Sequence, residues 1–261
     1  LDGDGIPDRY MIDMDDAGWG HYEMLLLQAG GGFFDEQGTL TMDSDIAVTV
    51  MCALVRMVAG PERISNTLGS GQILTQAMQN DYFVCLFCPD WRTKLIEQDM
   101  PGMRGKLALM PLPAWRRGGP RTSTWGGTML GITAACKDKE LAWQFAVHLY
   151  CKADDLAQRF RDMNIIPPLR DSWADPVYDE PRPFWSGQPI GRLFCALADE
   201  VPPLYVTPFL GLAHTRAGEA LVESVRYYQR HGERGLAAHV QKMLSQKAAD
   251  VRKHMARNPY Q

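Results

Sequence analysis

The sequence predicts an α/β protein, and three observations lead there. Residues 123–150 read as a short apolar strand running into a capped helix, strands at Tyr82–Cys88 and Lys106–Pro113 alternate with helical patterns, and glycine and proline clusters separate the segments. In the first of these segments, Ser123-Thr-Trp-Gly-Gly127 places an aromatic and two glycines ahead of the apolar strand Thr128–Ala134. The glycines let the backbone come close to another group, or turn where a side chain would obstruct. Asp138 is placed to cap the helix that follows, and Glu140 suits the positive end of its dipole. Leu141, Ala142, Phe145 and Leu149 fall on one helical stripe.

The remaining elements follow in chain order. Gly18-Trp-Gly-His-Tyr22 leads into the apolar run Met24–Leu27, which Gly30-Gly-Gly32 stops. Phe33 to Gly38 reads as a turn, and Asp43-Ser-Asp45 then opens a helix with Ile46, Val50, Ala53, Leu54 and Met57 on one face, ended by Gly60-Pro61. Ile64 to Gly71 reads as loop and Gln72 to Asn80 as a short helix before the strand at Tyr82. Lys152 to Met163 is a further helical pattern, and Asp171 to Arg192 is irregular. Two C-terminal helices carry the stripes Ala217, Ala220, Leu221, Val225, Tyr228 and Leu236, Val240, Met243, Leu244, Val251, Met255.

Composition removes several function classes. The chain has 261 residues, 46% hydrophobic and 22% charged, with a net charge of −4; that is ordinary globular composition, and the negative charge disfavours a nucleic-acid partner. Apolar stretches are short and interrupted, so none reads as a membrane span. The chain opens at Leu1 within an acidic loop, which reads as a mature product or a fragment. Of the six cysteines only Cys85 and Cys88 are close, and on a strand positions three apart face opposite ways, so small buried hydrophobes are expected. Disulfides remain the alternative, with pairing that sequence does not give.

Two candidate chemistries arise from the residues alone. Asp2, Asp4 and Asp8 surround a glycine turn in Leu1-Asp-Gly-Asp-Gly-Ile-Pro-Asp8, offering the alternating oxygen ligands that calcium takes. The bidentate glutamate of the EF-hand pattern is missing, and a solvated acidic loop is the alternative. A calcium-stabilised structural domain is therefore one reading. Paired carboxylates for glycoside hydrolysis are a second, although Asp15-Asp16 and Asp154-Asp155 read more simply as solvated charges. Neither a Gly-x-Ser-x-Gly elbow nor a His-Glu-x-x-His helix occurs.

Trp125-Gly-Gly127, a strand ending in Ile132-Thr-Ala134, a charged cap and Glu140-Leu-Ala-Trp-Gln-Phe145 together resemble the sugar-binding proteins of bacterial ABC importers, the maltodextrin-binding-protein-like family. The ordered set supports the resemblance along nearly the whole chain: an Asp-Gly-Asp-Gly loop before the strand Tyr10–Asp13, an aromatic before the first helix, Gly31-Gly-Phe33, the Asp43-Ser-Asp45 cap, a strand ending near Pro89-Asp-Trp91, and the return segment Asn164–Arg170. The resemblance implies a periplasmic-binding-protein-like (type II) two-lobe fold, α/β, here mainly the C-terminal lobe plus the segment returning to the first lobe. It implies divisions at 1–121, 122–169 and 170–261: second lobe, hinge crossing and first-lobe segment, and return with the C-terminal helices. The several βα units that open the first lobe in the family are missing here, so the strand Thr128–Ala134 loses its usual neighbours.

By the same resemblance the chain serves an ABC importer, binding a sugar or oligosaccharide by aromatic stacking in an interlobe cleft and delivering it to the permease subunits in the membrane. It implies a periplasmic or extracellular location, with a lipid anchor as one option, a monomer when full-length, no catalysis, and no cofactor apart from the calcium alternative. The ligand-binding residues carried over are Trp91 and Trp125, with Trp19 or Tyr22 as the aromatic before the first helix and Gly126 and Gly127 giving backbone access. Asp90, Arg121 and His214 are assigned to orient polar groups. With one stacking wall missing, the chain alone is expected to bind sugar weakly or not at all.

Overall fold

A computed structural model of the chain describes residues 8–68, 71–127 and 129–257. The chain forms two compact units, one comprising residues 1–87, 113–125 and 200–261 and the other residues 88–112 and 126–199. Membership thus changes at 87/88, 112/113, 125/126 and 199/200, where the sequence reading divides the chain at 121/122 and 169/170.

The first unit holds a small parallel sheet in the order β2–β1–β3, with β1 at Tyr10–Asp13, β2 at Ser65–Asn66 and β3 at Phe83–Cys85. Ile12 registers against Ser65 and Tyr10 against Phe83. Alternation puts Tyr10 inward and Met11 outward, as a one-sided strand requires. β2 falls in the stretch read as loop, because two residues give no periodicity to detect. The strand expected over Tyr82–Cys88 is confined to its first half.

Helices supply most of this unit. α1 (Gly20–Gln28) buries every residue from His21 to Gln28, so it is a core helix and not a surface amphipath. Its end is fixed by close approach: a Cβ on Gly31 would lie 2.5 Å from the Leu26 side chain and 2.9 Å from Ile46. α2 (Asp45–Val58) starts at Ser44, whose hydroxyl accepts from the Ala47 N–H. It buries Ala47, Val48, Val50, Met51, Cys52, Leu54, Val55 and Val58; of the expected stripe only Val50 and Leu54 are buried, and Ile46, Ala53 and Met57 are half-buried at its margin. α3 (Gln72–Gln79) precedes β3.

The C-terminal pair, α8 (Leu210–His231) and α9 (Leu236–Met255), closes the core. Ala217, Ala220, Leu221 and Val225 on α8 and Leu236, Val240, Leu244 and Val251 on α9 are buried, as their stripes predict. Arg216 bonds Asp250 at 2.6 Å and Lys247 bonds Glu219 at 2.6 Å, tying the two helices along their polar edge. Arg252 reaches back to Asp43 at 2.7 Å, beside the α2 cap.

The second unit comprises α4 (Asp90–Asp99), α5 (Lys139–Cys151), α6 (Ala153–Met163) and α7 (Ile190–Leu197), with short 3-10 turns between 170 and 185. Its core gathers Leu156, Ala157, Phe160, Val177, Tyr178, Trp185 and Ile190, and Phe160 and Tyr178 meet at 4.7 Å between centroids. Glu97 accepts from both the Asn164 amide (2.8 Å) and the Trp185 indole (2.9 Å). Asp138 caps α5 as expected, accepting from the Leu141 N–H at 2.8 Å.

Two expected strands are not formed among the described residues. Around Lys106–Leu112, hydrogen bonds come from side chains in place of a neighbouring strand: Leu109 N–H donates to Gln188 Oε1 and Gln188 Nε2 donates to the Leu109 carbonyl. Residues 129–134 are likewise unladdered, with Met129 90% and Leu130 46% exposed. The α5 stripe is also open: Leu141 and Phe145 are 61% and 59% exposed, and among the described residues of α5 only Ala146 is buried.

All six cysteines are free; Cys52 and Cys195 are buried, while Cys85 and Cys151 are exposed. The buried-hydrophobe expectation thus describes part of the set. Burial pushes the Cys88 thiol up to about 12, against a small opposing effect of Arg92.

Leu54→Ala in α2 should lower unfolding stability by about 2–5 kcal/mol, whereas Leu141→Ala on the open face of α5 should change it by less than about 0.5 kcal/mol. Urea titration of both variants checks this, and equal losses would contradict the core assignment. Burial also holds the His239 imidazole below its ordinary value. The folded state therefore favours the neutral ring. Its contribution is complete above the unfolded value of about 6.5 and is lost as pH falls below it toward the folded value. His239→Gln should flatten the decline of melting temperature over that interval; an unchanged slope would refute the assignment.

Candidate functional site

A candidate site on the first unit lies where the start of α1 meets α8. Gly18 takes a positive φ of 92°, and Trp19 is the residue from which α1 starts. The Glu23 N–H donates to the Trp19 carbonyl at 2.8 Å, so Trp19 and Glu23 stand one helical turn apart. From α8, His214 lies flat on the indole, with ring centroids 3.6 Å apart and planes inclined by 2°. His214 Nε2 is 2.8 Å from Glu23 Oε1. The Phe33 ring meets the imidazole edge-on at 5.2 Å.

A cavity of about 590 Å³ opens beside this group. Gly18 and Trp19 line it from the α1 side, Thr215, Gly218, Glu219, Val222 and Glu223 from α8, and Lys247 from α9. Gly218 faces the Gly18 backbone, where an added Cβ would make ordinary contact at 3.4 Å. The carboxylates are partnered before any ligand arrives. Glu219 bonds Lys247 and Arg216, each at 2.6 Å, and these hold its carboxyl below the usual carboxylate range. Hydroxyl, carboxylate and ammonium groups beside an exposed indole form a surface suited to a neutral polyol.

The structure separates the residues expected to bind ligand. Of the pair Trp19 or Tyr22, Trp19 is 39% exposed and lines the cavity. Tyr22 is 1% exposed and its hydroxyl donates to the Ala47 carbonyl, so it belongs to the core. His214 lines the cavity, held against Trp19. Trp125 is half-buried beside the first turn of α1, 5.1 Å from His21 and edge-on to Phe87 at 6.3 Å. Arg121 is exposed, and its backbone N–H donates to Glu200.

Trp91 and Asp90 belong to the second unit. Trp91 is 43% exposed. Asp90 has a structural task, its carboxylate accepting from the Trp91 and Ile166 N–H groups at 2.8 and 2.9 Å. Gly126 and Gly127 have φ of 88° and 154° with open space where a Cβ would stand, so their backbone is accessible. Asp2 and Asp4 lie outside the described residues, and Asp8 is exposed. Among the described residues no group of three or more His, Cys, Asp or Glu is gathered to hold a metal.

Glu23, Thr215, Gly218, Glu219 and Lys247 escape sequence reasoning. Glu23 is the one hint, a lone acid directly before the apolar run Met24–Leu27. The others are ordinary polar positions on α8 and α9, brought to one cavity only by helix packing.

Comparison with known proteins shows the family and the fold. Residues 1–182 match the bacterial extracellular solute-binding protein family. The arabinooligosaccharide-binding protein of Halalkalibacterium halodurans is 28% identical over 192 residues, covering 71% of this chain and 43% of the relative. That of Bacillus subtilis is 25% identical over 188 residues, again covering 43% of the relative. The chain thus spans less than half the length of the curated relatives it matches. In fold it is similar to the sugar-binding protein MalE from Xanthomonas citri, with a TM-score of 0.71 at 16% identity over 97% of this chain and 62% of that one. It is also similar to the ABC-transporter-associated binding protein from B. animalis subsp. lactis solved with β-1,6-galactobiose, with a TM-score of 0.65 at 16% identity over 95% of this chain and 63% of that one. The fold is the partial two-lobe α/β arrangement, of the type II periplasmic-binding-protein kind, that the motif order implies. The chain belongs to the bacterial extracellular solute-binding proteins.

Proposed function

We propose that the chain is part of the substrate-binding component of an ABC importer and takes a neutral oligosaccharide, with the Trp19 cavity as one of its sugar-contacting surfaces. The observation that carries this reading is the exposed indole beside a cavity that combines apolar surface with hydroxyl, carboxylate and ammonium groups. An indole face stacks on the C–H face of a sugar ring, and polar groups beside it receive the hydroxyls. Thr215, Glu219 and Lys247 are the directed groups here. The internal Glu219–Lys247 pairing favours an uncharged ligand, because a uronate or amino sugar would have to displace a formed ion pair. The relatives that bind arabinooligosaccharides suggest a pentose oligomer as the first ligand to try.

Membership of the family supports delivery to permease subunits and an extracellular or periplasmic site of action. Among the described residues no helix is long and apolar enough to cross a membrane. Hydrolysis finds no support in the relatives. The chemistry also runs against it at Glu219: a general acid needs a raised carboxyl value, and ion pairing lowers this one.

Calorimetric titration with arabinooligosaccharides and β-galactobioses tests the reading, using both the 261-residue chain and a fusion that adds the first lobe of the arabinooligosaccharide-binding relative. The fusion should bind a sugar at micromolar concentration and return it intact, while the chain alone binds weakly. Trp19→Ala in the fusion should weaken binding by about tenfold or more, roughly 1.4 kcal/mol. Silence from a folded fusion across the panel, or cleaved sugar, would overturn the proposal.

A further inference from the structure

We propose that Glu23 is a positioning residue for Trp19, acting through His214 to hold the indole plane at a fixed orientation with one face sealed. Where it concerns ligand affinity, this rests on the sugar-binding reading above. Trp19 and Glu23 leave the same turn of α1, and the imidazole of His214 from α8 fits between them. Its face covers the indole at 3.6 Å, and its Nε2 meets Glu23 Oε1 at 2.8 Å. A carboxylate only accepts, so Nε2 bonds Glu23 as the donor. Phe33 restricts the ring from a third direction.

Burial makes the bond effective. The side chains of His214 and Glu23 are 13% and 11% exposed, so water competes poorly for either partner. Rotating the imidazole would break either the stack or the hydrogen bond. Trp19 is thereby backed on one face and meets a ligand only with the other face and its edge. A stacking platform that does not reorient on binding loses less conformational freedom when the ligand arrives. His214 thus serves to immobilise the aromatic, where sequence reasoning assigns it to orient polar groups.

The test uses fluorine NMR of the chain labelled with 5-fluorotryptophan, the Trp19 resonance being assigned by its loss in Trp19→Phe. Glu23→Ala should shift and broaden that resonance while Glu23→Gln, which keeps a hydrogen-bond acceptor, leaves it near its original position. His214→Ala should shift it as well, and adding Glu23→Ala to His214→Ala should produce little further change. The resonances of Trp173 and Trp185 in the second unit should stay in place, which general loosening would not allow. If Glu23→Ala fails to fold, Glu23→Leu fills the volume without the acceptor and is read in the same way. An unmoved Trp19 resonance, or an equal shift in the His214→Ala background, would overturn the proposal.

In the two-lobe fusion, Glu23→Ala should weaken oligosaccharide binding about fivefold and Glu23→Gln less than twofold, with no added loss on His214→Ala. Should the wild-type fusion bind no sugar, the functional reading fails while the fluorine spectra still decide the clamp.

Discussion

The first unit depends on the packing of α1 and α2 against the C-terminal helices. Ala213, Ala217 and Ala220 are fully buried along α8, and small side chains at one-turn intervals let neighbouring helices approach closely. Leu26 on α1, Leu54 and Val55 on α2, and Leu244 and Val251 on α9 are equally buried. Burying a side chain of this kind stabilises the fold by about 1.5–3 kcal/mol. The contact joins residues 20–58 to residues 210–255, so the site forms only once the ends of the sequence meet. Trp19 and His214 are stacked because α1 and α8 are already held together. Gly218 faces the Gly18 backbone, so the start of α1 and α8 meet beside the cavity.

The second unit shows what happens to local patterns without enough partners. The cap and helix predicted at 138–151 form, since capping and propensity are local properties. The stripe on that helix stays open. A strand needs a neighbour to bond, and the apolar segment at 129–134 has none among the described residues. At 107–109 the amide of Gln188 and the hydroxyl of Ser186 substitute for part of a strand edge. Alternating apolar residues therefore mark a capacity to pair, and the fold decides whether it is used.

The same distinction sets what was legible in the sequence. Helix stops, the Ser44 and Asp138 caps, and the α8 and α9 stripes could be read directly, because each rests on residues within a few positions of one another. The family was legible from the order of short motifs. The site was only partly so. Trp19 and Tyr22 look equivalent in Trp19-Gly-His-Tyr22, yet Trp19 is the cap residue at the cavity while Tyr22, within the first turn of α1, points into the core. His214 appears as a polar residue at the start of a helix; its stack on Trp19 spans 195 positions of sequence, 214 minus 19, and no local pattern reports it.

The central claim is that the cavity beside Trp19 receives a sugar. Weak binding by the chain alone suits NMR at millimolar ligand, where small occupancies are visible residue by residue. Titrating the ¹⁵N-labelled chain with arabinotriose should shift the Trp19 indole N–H and the amides of Thr215 and Gly218 together, saturating along one curve. Saturable shifts that avoid these three residues, or no shift at all in a folded sample, would contradict the account.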